Sequence, residues 1–163
     1  MFNATRGFLL LLLVGLSPNP AWAATKTATF LVQAQIVADC TVAATTLDFG
    51  TIGLLSANTD AATTLTVTCS NTSTYNVGLN AGTGTGSTIP NRLLANGAAT
   101  LQYQLYLTSA RNTVWGNTVS TDTQGGTGNG QAQTLTVYGR VPIQAITPAP
   151  GTYTSTITAT ITF

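Results

Sequence analysis

Lys26-Thr27-Ala28-Thr29-Phe30-Leu31-Val32-Gln33-Ala34-Gln35-Ile36-Val37 is the stretch from which the rest of the chain is read. Phe30, Val32, Ala34 and Ile36 share one parity, and Thr29, Gln33 and Gln35 share the other, with Leu31 and Val37 as exceptions. Successive side chains of a strand point to opposite faces, so this alternation predicts a half-buried β-strand. Two fates are open to such a strand. It is the first strand of the chain's own sheet, or its apolar face fills a neighbouring subunit.

What precedes the stretch reads as an export leader over residues 1–23. Arg6 supplies a positive charge, Phe8 to Leu16 an apolar run, and Ala21-Trp22-Ala23 a small-residue cleavage pattern. The apolar run is far shorter than the roughly 20 residues of a membrane-spanning helix. The mature chain is therefore expected to begin at Ala24 and to form one domain.

Charge is scarce in that mature chain. Without Arg6 it keeps Lys26, Arg92, Arg111 and Arg140 against Asp39, Asp48, Asp60 and Asp122, with neither His nor Glu. So few cations argue against nucleic acid, whose phosphates need several Lys or Arg, and against an anionic membrane surface. Low charge also removes the usual means of staying soluble, which suits a surface that associates.

Cys40 and Cys69 are the two cysteines. In an exported chain they most simply form one disulfide, the alternative being a pair of free thiols. A closed loop of this size stabilises a fold by about 3–4 kcal/mol in the chain-entropy picture. Zinc is excluded for want of further Cys or His ligands.

Downstream, the first parity continues through Ala38, Cys40 and Val42, and Leu47-Asp48-Phe49-Gly50 reads as a strand end entering a turn. Strands are expected at Thr64–Cys69, Tyr75–Ala81, Leu101–Leu107, Leu135–Val141 and Tyr153–Phe163. The inward residues would be Leu65, Val67 and Cys69; Tyr75, Val77, Leu79 and Ala81; Leu101, Tyr103, Leu105 and Leu107; and Leu135, Val137 and Val141. Gln102 and Gln104 would face out. Val114-Trp115-Gly116 reads as a short strand or turn, and Gly82–Asn91 and Gly125–Gly130 as loops. Without a sustained 3.6-residue period, the class is an all-β sandwich. Its last strand runs to Phe163 and would leave an open edge unless something pairs with it.

Catalytic chemistry finds little support. General bases are reduced to scattered Asp and one Lys, and no G-x-S-x-G is present. Asp48, Asp60 and Asp122 lie next to turn residues and read as local caps. The Gly125–Gly130 cluster has no following Lys-Ser/Thr and reads as a hairpin loop, not a phosphate cradle. Nor is there a carboxylate-dense loop for calcium. Trp115, Tyr103, Tyr106 and Tyr138 could stack on a sugar, but parity separates Tyr103 from Tyr106 and favours core packing. No cofactor or metal is expected, and the chain reads as no enzyme.

An ordered set of short motifs runs through the mature chain: Cys40-Thr41-Val42, Leu47-Asp48-Phe49-Gly50, Val67-Thr68-Cys69 and Leu101-Gln102-Tyr103-Gln104-Leu105-Tyr106. Val114-Trp115-Gly116, Thr136-Val137-Tyr138-Gly139-Arg140-Val141-Pro142, Pro150-Gly151-Thr152-Tyr153 and Ser155-Thr156-Ile157 complete it. In this order they resemble the spore coat protein U domain family, which includes the pilins of archaic (Csu-type) chaperone–usher pili. Ser109 and Ser155 depart from the acidic residues common there.

The resemblance implies an immunoglobulin-like β-sandwich lacking its last strand. A periplasmic chaperone lends that strand first, and the N-terminal extension of the next subunit lends it later, a form of β-strand addition. On this reading residues 24–36 are the donor strand, inserting Phe30, Val32, Ala34 and Ile36, and 37–163 the pilin domain. The acceptor groove and chaperone contact would be lined by Ile157, Ala159, Ile161 and Phe163. Partners would be copies of the chain or related pilins, the chaperone and an outer-membrane usher, with no nucleic acid and no membrane insertion of the mature form. The subunit would pass through the periplasm to a surface pilus serving adhesion and biofilm formation. A secreted spore-coat-type structural protein is the alternative. A tip adhesin would call for a second domain, and a self-contained monomer would use Thr29–Val37 as its own first strand.

Overall fold

The computed structural model describes residues 21–163, so the charged and apolar parts of the expected leader lie outside the described residues. The chain divides after Ala34. Within residues 35–163 the strands are β1 (Cys40–Ala44), β2 (Thr59–Cys69), β3 (Thr74–Leu79), β4 (Arg92–Asn96), β5 (Ala99–Tyr106), β6 (Gln124–Thr127), β7 (Ala132–Val141) and β8 (Ala159–Thr162). They form a five-stranded sheet in the order β1-β2-β7-β5-β4 and a three-stranded sheet in the order β6-β3-β8. Every pairing is antiparallel. The fold is all-β and immunoglobulin-like, as expected.

The β2–β7 ladder is the spine, running from Thr59 opposite Val141 to Thr68 opposite Ala132. Thr and Val alternate along both strands, which suits a pleated surface with one buried face. Leu65, Val67 and Cys69 of β2, Val137 and Val141 of β7, and Leu101, Tyr103 and Leu105 of β5 enter the core, as do Tyr75, Val77 and Leu79 of β3. All of these were expected inward by parity. The disulfide joins Cys40 to Cys69, which stand directly opposite in the β1–β2 register.

Several expectations are corrected. β6 falls largely where a loop was read, and β4 forms in residues 92–96, where no strand was expected. Gln104 is buried, not outward: its side-chain oxygen accepts from Arg92 and its amide donates to the Ile89 carbonyl at 2.9 Å. The last strand is shorter than the alternation over Tyr153–Phe163 suggested. Thr154 exchanges two backbone hydrogen bonds with Ala95 of β4, while Ala159–Thr162 pairs with β3, so the segment crosses from one sheet to the other in between. Leu47–Gly50 carries no strand; the Asp48 carboxylate instead caps the Gly50 amide at 2.8 Å. Lys26–Val37 is likewise without strand assignment. A strand exists only as one side of a ladder, and a single copy supplies none to this stretch among the described residues.

Candidate functional site: an apolar groove on one side of the sandwich

One side of the sandwich is stitched shut. Val114 bridges to Tyr106, and the Trp115 amide donates to the Leu105 carbonyl of the larger sheet at 2.9 Å. The next carbonyl, that of Gly116, accepts from Leu79 of the smaller sheet at 2.7 Å. Trp115 is 1% exposed, and its indole N–H donates to the Val77 carbonyl at 2.8 Å. It is core, not a sugar platform. Asp122 closes the following turn by accepting from the Thr118 amide at 2.6 Å.

Arg92 of β4 ties the same region together from inside. Fully buried, it donates to the carbonyls of Asn80 (2.9 Å), Leu79 (3.0 Å) and Trp115 (2.7 Å) and to the Gln104 side chain. Burial lowers its pKa, with the nearby Tyr103 and Asp122 acting in the other direction. A buried guanidinium is tolerable only when its donors are occupied, and this one spans both sheets. Sequence reasoning missed it; a lone Arg two residues after Pro90 resembles an exposed loop charge.

The opposite side is open. β8 pairs with β3 along one edge and has no ladder partner along the other among the described residues. β1 is likewise an edge strand, paired only with β2, and it approaches β8 across the gap between the sheets. A groove of about 990 Å³ opens here. Its floor includes Leu65, Leu79, Leu101, Leu105 and Val137, and its rims are the segments around Leu47–Ile52 and Pro148–Ile157. Gly139, inward on β7, makes room for one rim: a Cβ there would stand 2.7 Å from Leu47 and 2.9 Å from Phe49.

Burial along the groove has a particular character. Leu47, Phe49, Ile52, Leu94, Tyr153, Ile157 and Ala159 all pack against the core yet remain only partly buried. Their parity is that of interior residues, and their exposure is that of an unfinished interior. Of the expected acceptor residues, Ile157 and Ala159 line the groove. Ile161 packs on the core opposite Val77, and Phe163 is 55% exposed.

Tyr103 is the buried hydroxyl-bearing residue of the groove, whose lining also includes Thr63, Ser155 and further threonines. Its ring is 3% exposed and meets Phe49 edge-on with centroids 6.3 Å apart. Burial raises its phenol pKa, with the Ser155 hydroxyl and then Arg92 pulling the other way. Ser155 thus stands near enough to act on the phenol. Its hydroxyl accepts from the Thr83 amide at 3.1 Å, however, and the geometry of a hydrogen bond to Tyr103 is not met.

The expected donor residues Phe30, Val32 and Ile36 are 86%, 81% and 93% exposed, and Ala34 is also exposed. Exposed single apolar residues are ordinary, but an alternating row of them is not. A charged cluster lies elsewhere, at the end of the β2–β7 ladder. Asp60 receives Arg140 through two hydrogen bonds at 2.7 and 2.8 Å and Arg111 at 3.3 Å. The Arg140 contact first, and the two cations more generally, lower the Asp60 pKa against the opposing effect of burial. Asp48 and Asp122 are local caps as expected, whereas Asp60 is an ion-pair partner inside a strand.

The Spore Coat Protein U domain matches residues 26–160. Protein U of Myxococcus xanthus is 34% identical over 161 residues, covering 89% of each chain. Among solved structures, the chain resembles one from the CsuC–CsuE chaperone–tip adhesion subunit pre-assembly complex of archaic chaperone-usher Csu pili of Acinetobacter baumannii. The TM-score is 0.55 at 24% identity, over 78% of this chain and 40% of that one. That likeness supports the fold. By the extent of the domain match and the identity to Protein U, the chain belongs to the Spore Coat Protein U domain family.

Proposed function

We propose that the chain is a structural subunit of a chaperone–usher surface pilus that polymerises by donor-strand complementation. The observation that carries the reading is a pair of complementary defects. The sandwich has an apolar groove bounded by the unpaired edge of β8, and residues 30–36 present an alternating apolar row to solvent. Inserted into a second copy, Phe30, Val32 and Ile36 would each contribute roughly 1.5–3 kcal/mol of burial. Main-chain bonds to the β8 edge add about 1 kcal/mol apiece, against the cost of ordering the segment. Ala34 would occupy the shallowest point.

On this reading a periplasmic chaperone fills the groove before assembly, the leader over residues 1–23 directs export, and an outer-membrane usher receives the complex. The assembled fibre would serve adhesion and biofilm formation. The role is structural, in keeping with a chain that has neither His nor Glu. The test is a gel of the exported protein in SDS without boiling, beside a deletion of residues 24–35. A ladder of multimers that vanishes with the deletion is expected. A monomer band from the intact chain, with a cooperative melt, would overturn the proposal. A secreted coat is the second reading, favoured by the family to which the chain belongs. Electron micrographs of the multimers separate the two, a coat giving sheets or shells instead of thin fibres.

A further inference from the structure

Apolar side chains gather at one end of the sandwich, outside the groove. The β2–β7 ladder stops there, with Thr59 facing Val141, and the loops that flank this end, 51–58 and 142–148, are joined crosswise. The Gln144 amide donates to the Leu55 carbonyl at 3.2 Å, the Leu55 amide to the Thr147 hydroxyl at 3.2 Å, and the Ile143 amide to Asn58 Oδ1 at 3.0 Å. On these joined loops Leu54, Ile143 and Ile146 are 80%, 59% and 82% exposed. Neither loop carries a charge. Single exposed aliphatic residues are ordinary, but three on one hydrogen-bonded base mark a contact surface. Leu55 and Thr147 of the same loops line the groove, so the patch stands at one of its mouths.

We propose that Leu54, Ile143 and Ile146 form a second contact between successive copies, seated on Val37 and Ala38 of the copy whose tail fills the groove. This rests on the donor-strand reading above and adds to it a contact outside the groove. Chain length carries the argument. Ile36, the last residue of the apolar row, stands four residues before Cys40, a reach of at most about 14 Å. A copy with Ile36 inserted therefore holds its own Cys40–Cys69 end close to the mouth that admits the strand. That end and the Thr59–Val141 end lie at opposite limits of the β2–β7 ladder, about 30 Å apart. Entry at the Cys69 end would bring like ends together, the geometry of a closed pair. Entry at the Thr59 end joins unlike ends and repeats without closing, as a fibre requires. The mouth in use is then the one that carries the patch. What faces it is apolar as well: Val37 is 66% exposed, and Ala38 is exposed beside it. Val37 has the parity opposite to the inserted row, so the groove offers it no partner and the patch does.

The test is disulfide trapping in multimers of the full exported chain. Val37→Cys is combined in turn with Leu54→Cys, Ile143→Cys and Ile146→Cys, and the multimers are oxidised and then boiled in SDS without reductant. Within one chain Val37 lies three residues from Cys40, a reach of about 11 Å against the ~30 Å of the ladder, so a bridge must join two copies. A ladder that survives boiling and collapses with reductant is expected from at least one pair. A single new cysteine can join only two copies, so no single variant should pass beyond a dimer. Absence of the ladder from all three pairs overturns the proposal. So does a ladder from Val37→Cys with Asn129→Cys, a position at the Cys69 end, where the Gly130 amide donates to the Cys69 carbonyl at 3.1 Å. Serine at 54, 143 and 146 together should leave the monomer's melt unchanged, because these side chains are already in water. The same variant should shorten the lifetime of SDS-resistant multimers about tenfold or more. An unchanged lifetime would assign the patch to a surface foreign to the chain, and a lower monomer melt would assign it to the fold; either result overturns the proposal. Failure of the donor-strand reading looks different, since the unmutated chain then forms no multimers at all.

Discussion

On the side where Trp115 lies, hydrogen bonds pass from β5 through residues 115 and 116 to β3, and Trp115 and Arg92 are enclosed with their donors occupied. On the side where β1 approaches β8, the two strands are not paired with each other, and the inward residues of the groove stay half-exposed. Both sides use the same period-two pattern. What separates them is completeness: one side holds a closed core, and the other leaves its inward residues partly exposed. On the donor-strand reading, the sandwich folds from its finished side and keeps the other for an added strand.

The largest effect should come from breaking the finished side. Trp115→Ala removes a fully enclosed indole and is expected to cost about 3–5 kcal/mol, abolishing a cooperative thermal transition followed by near-UV circular dichroism. A mutant melting like the unmutated chain would mean that the closed side does not hold the fold. Next comes the Cys40–Cys69 link, which secures β1 to the β2 spine. Serine at both positions should cost about 3–4 kcal/mol, read as a lower denaturant midpoint. Reductant should reproduce it in the unmutated chain but not in the double mutant.

A substitution on the open side should behave differently in free and filled states. Ile157→Ser is expected to cost about 1 kcal/mol or less in the monomer, below the ~2–5 kcal/mol of truncation in a closed core, because Ile157 is already half-wet. On the donor-strand reading, multimer lifetime should fall much further. Comparable losses in monomer and multimer would erase the distinction between the two sides. The smallest effect lies away from both. The Asp60 carboxyl titrates below its ordinary value in the fold, so its contribution is complete above the unfolded carboxylate range. That contribution disappears as pH falls through the lowered folded value. Asp60→Asn should therefore melt slightly lower than the unmutated chain at neutral pH, by the small amount typical of exposed pairs. The difference should close in strong acid.

Much of this architecture is legible in the chain because alternation reports a buried face wherever residues are apolar. Parity alone places Leu65, Val77, Leu105 and Val137 inside. It misses β4, whose one fully buried side chain is an arginine satisfied by carbonyls from distant segments. It misses β6 because Gly125 and Gly126 look like a loop, though position 126 lies against the Tyr75 ring, where a Cβ would collide. Gln104 reads outward because its partners, Arg92 and Ile89, are known only from the fold. The groove itself is a property of absence: alternation in Tyr153–Ile161 is the same whether a facing strand is present or not. That the last segment crosses between sheets at Thr154 likewise depends on its backbone partner, which no local pattern names.

The position of the disulfide has a mechanical consequence. Cys40 is the first residue of β1, and just before it Asp39 accepts from the Ser70 amide at 2.9 Å and donates to the Ser70 hydroxyl at 3.0 Å. A pull applied through residues 24–39 would therefore reach Cys40 and leave β1 at once, carried by a covalent bond into β2, the strand with the longest ladder. The five β1–β2 pairs cannot be unzipped from that end. On the donor-strand reading, load entering a subunit by its tail would pass into β2 without straining β1, so β1 would hold its place as the line tightens.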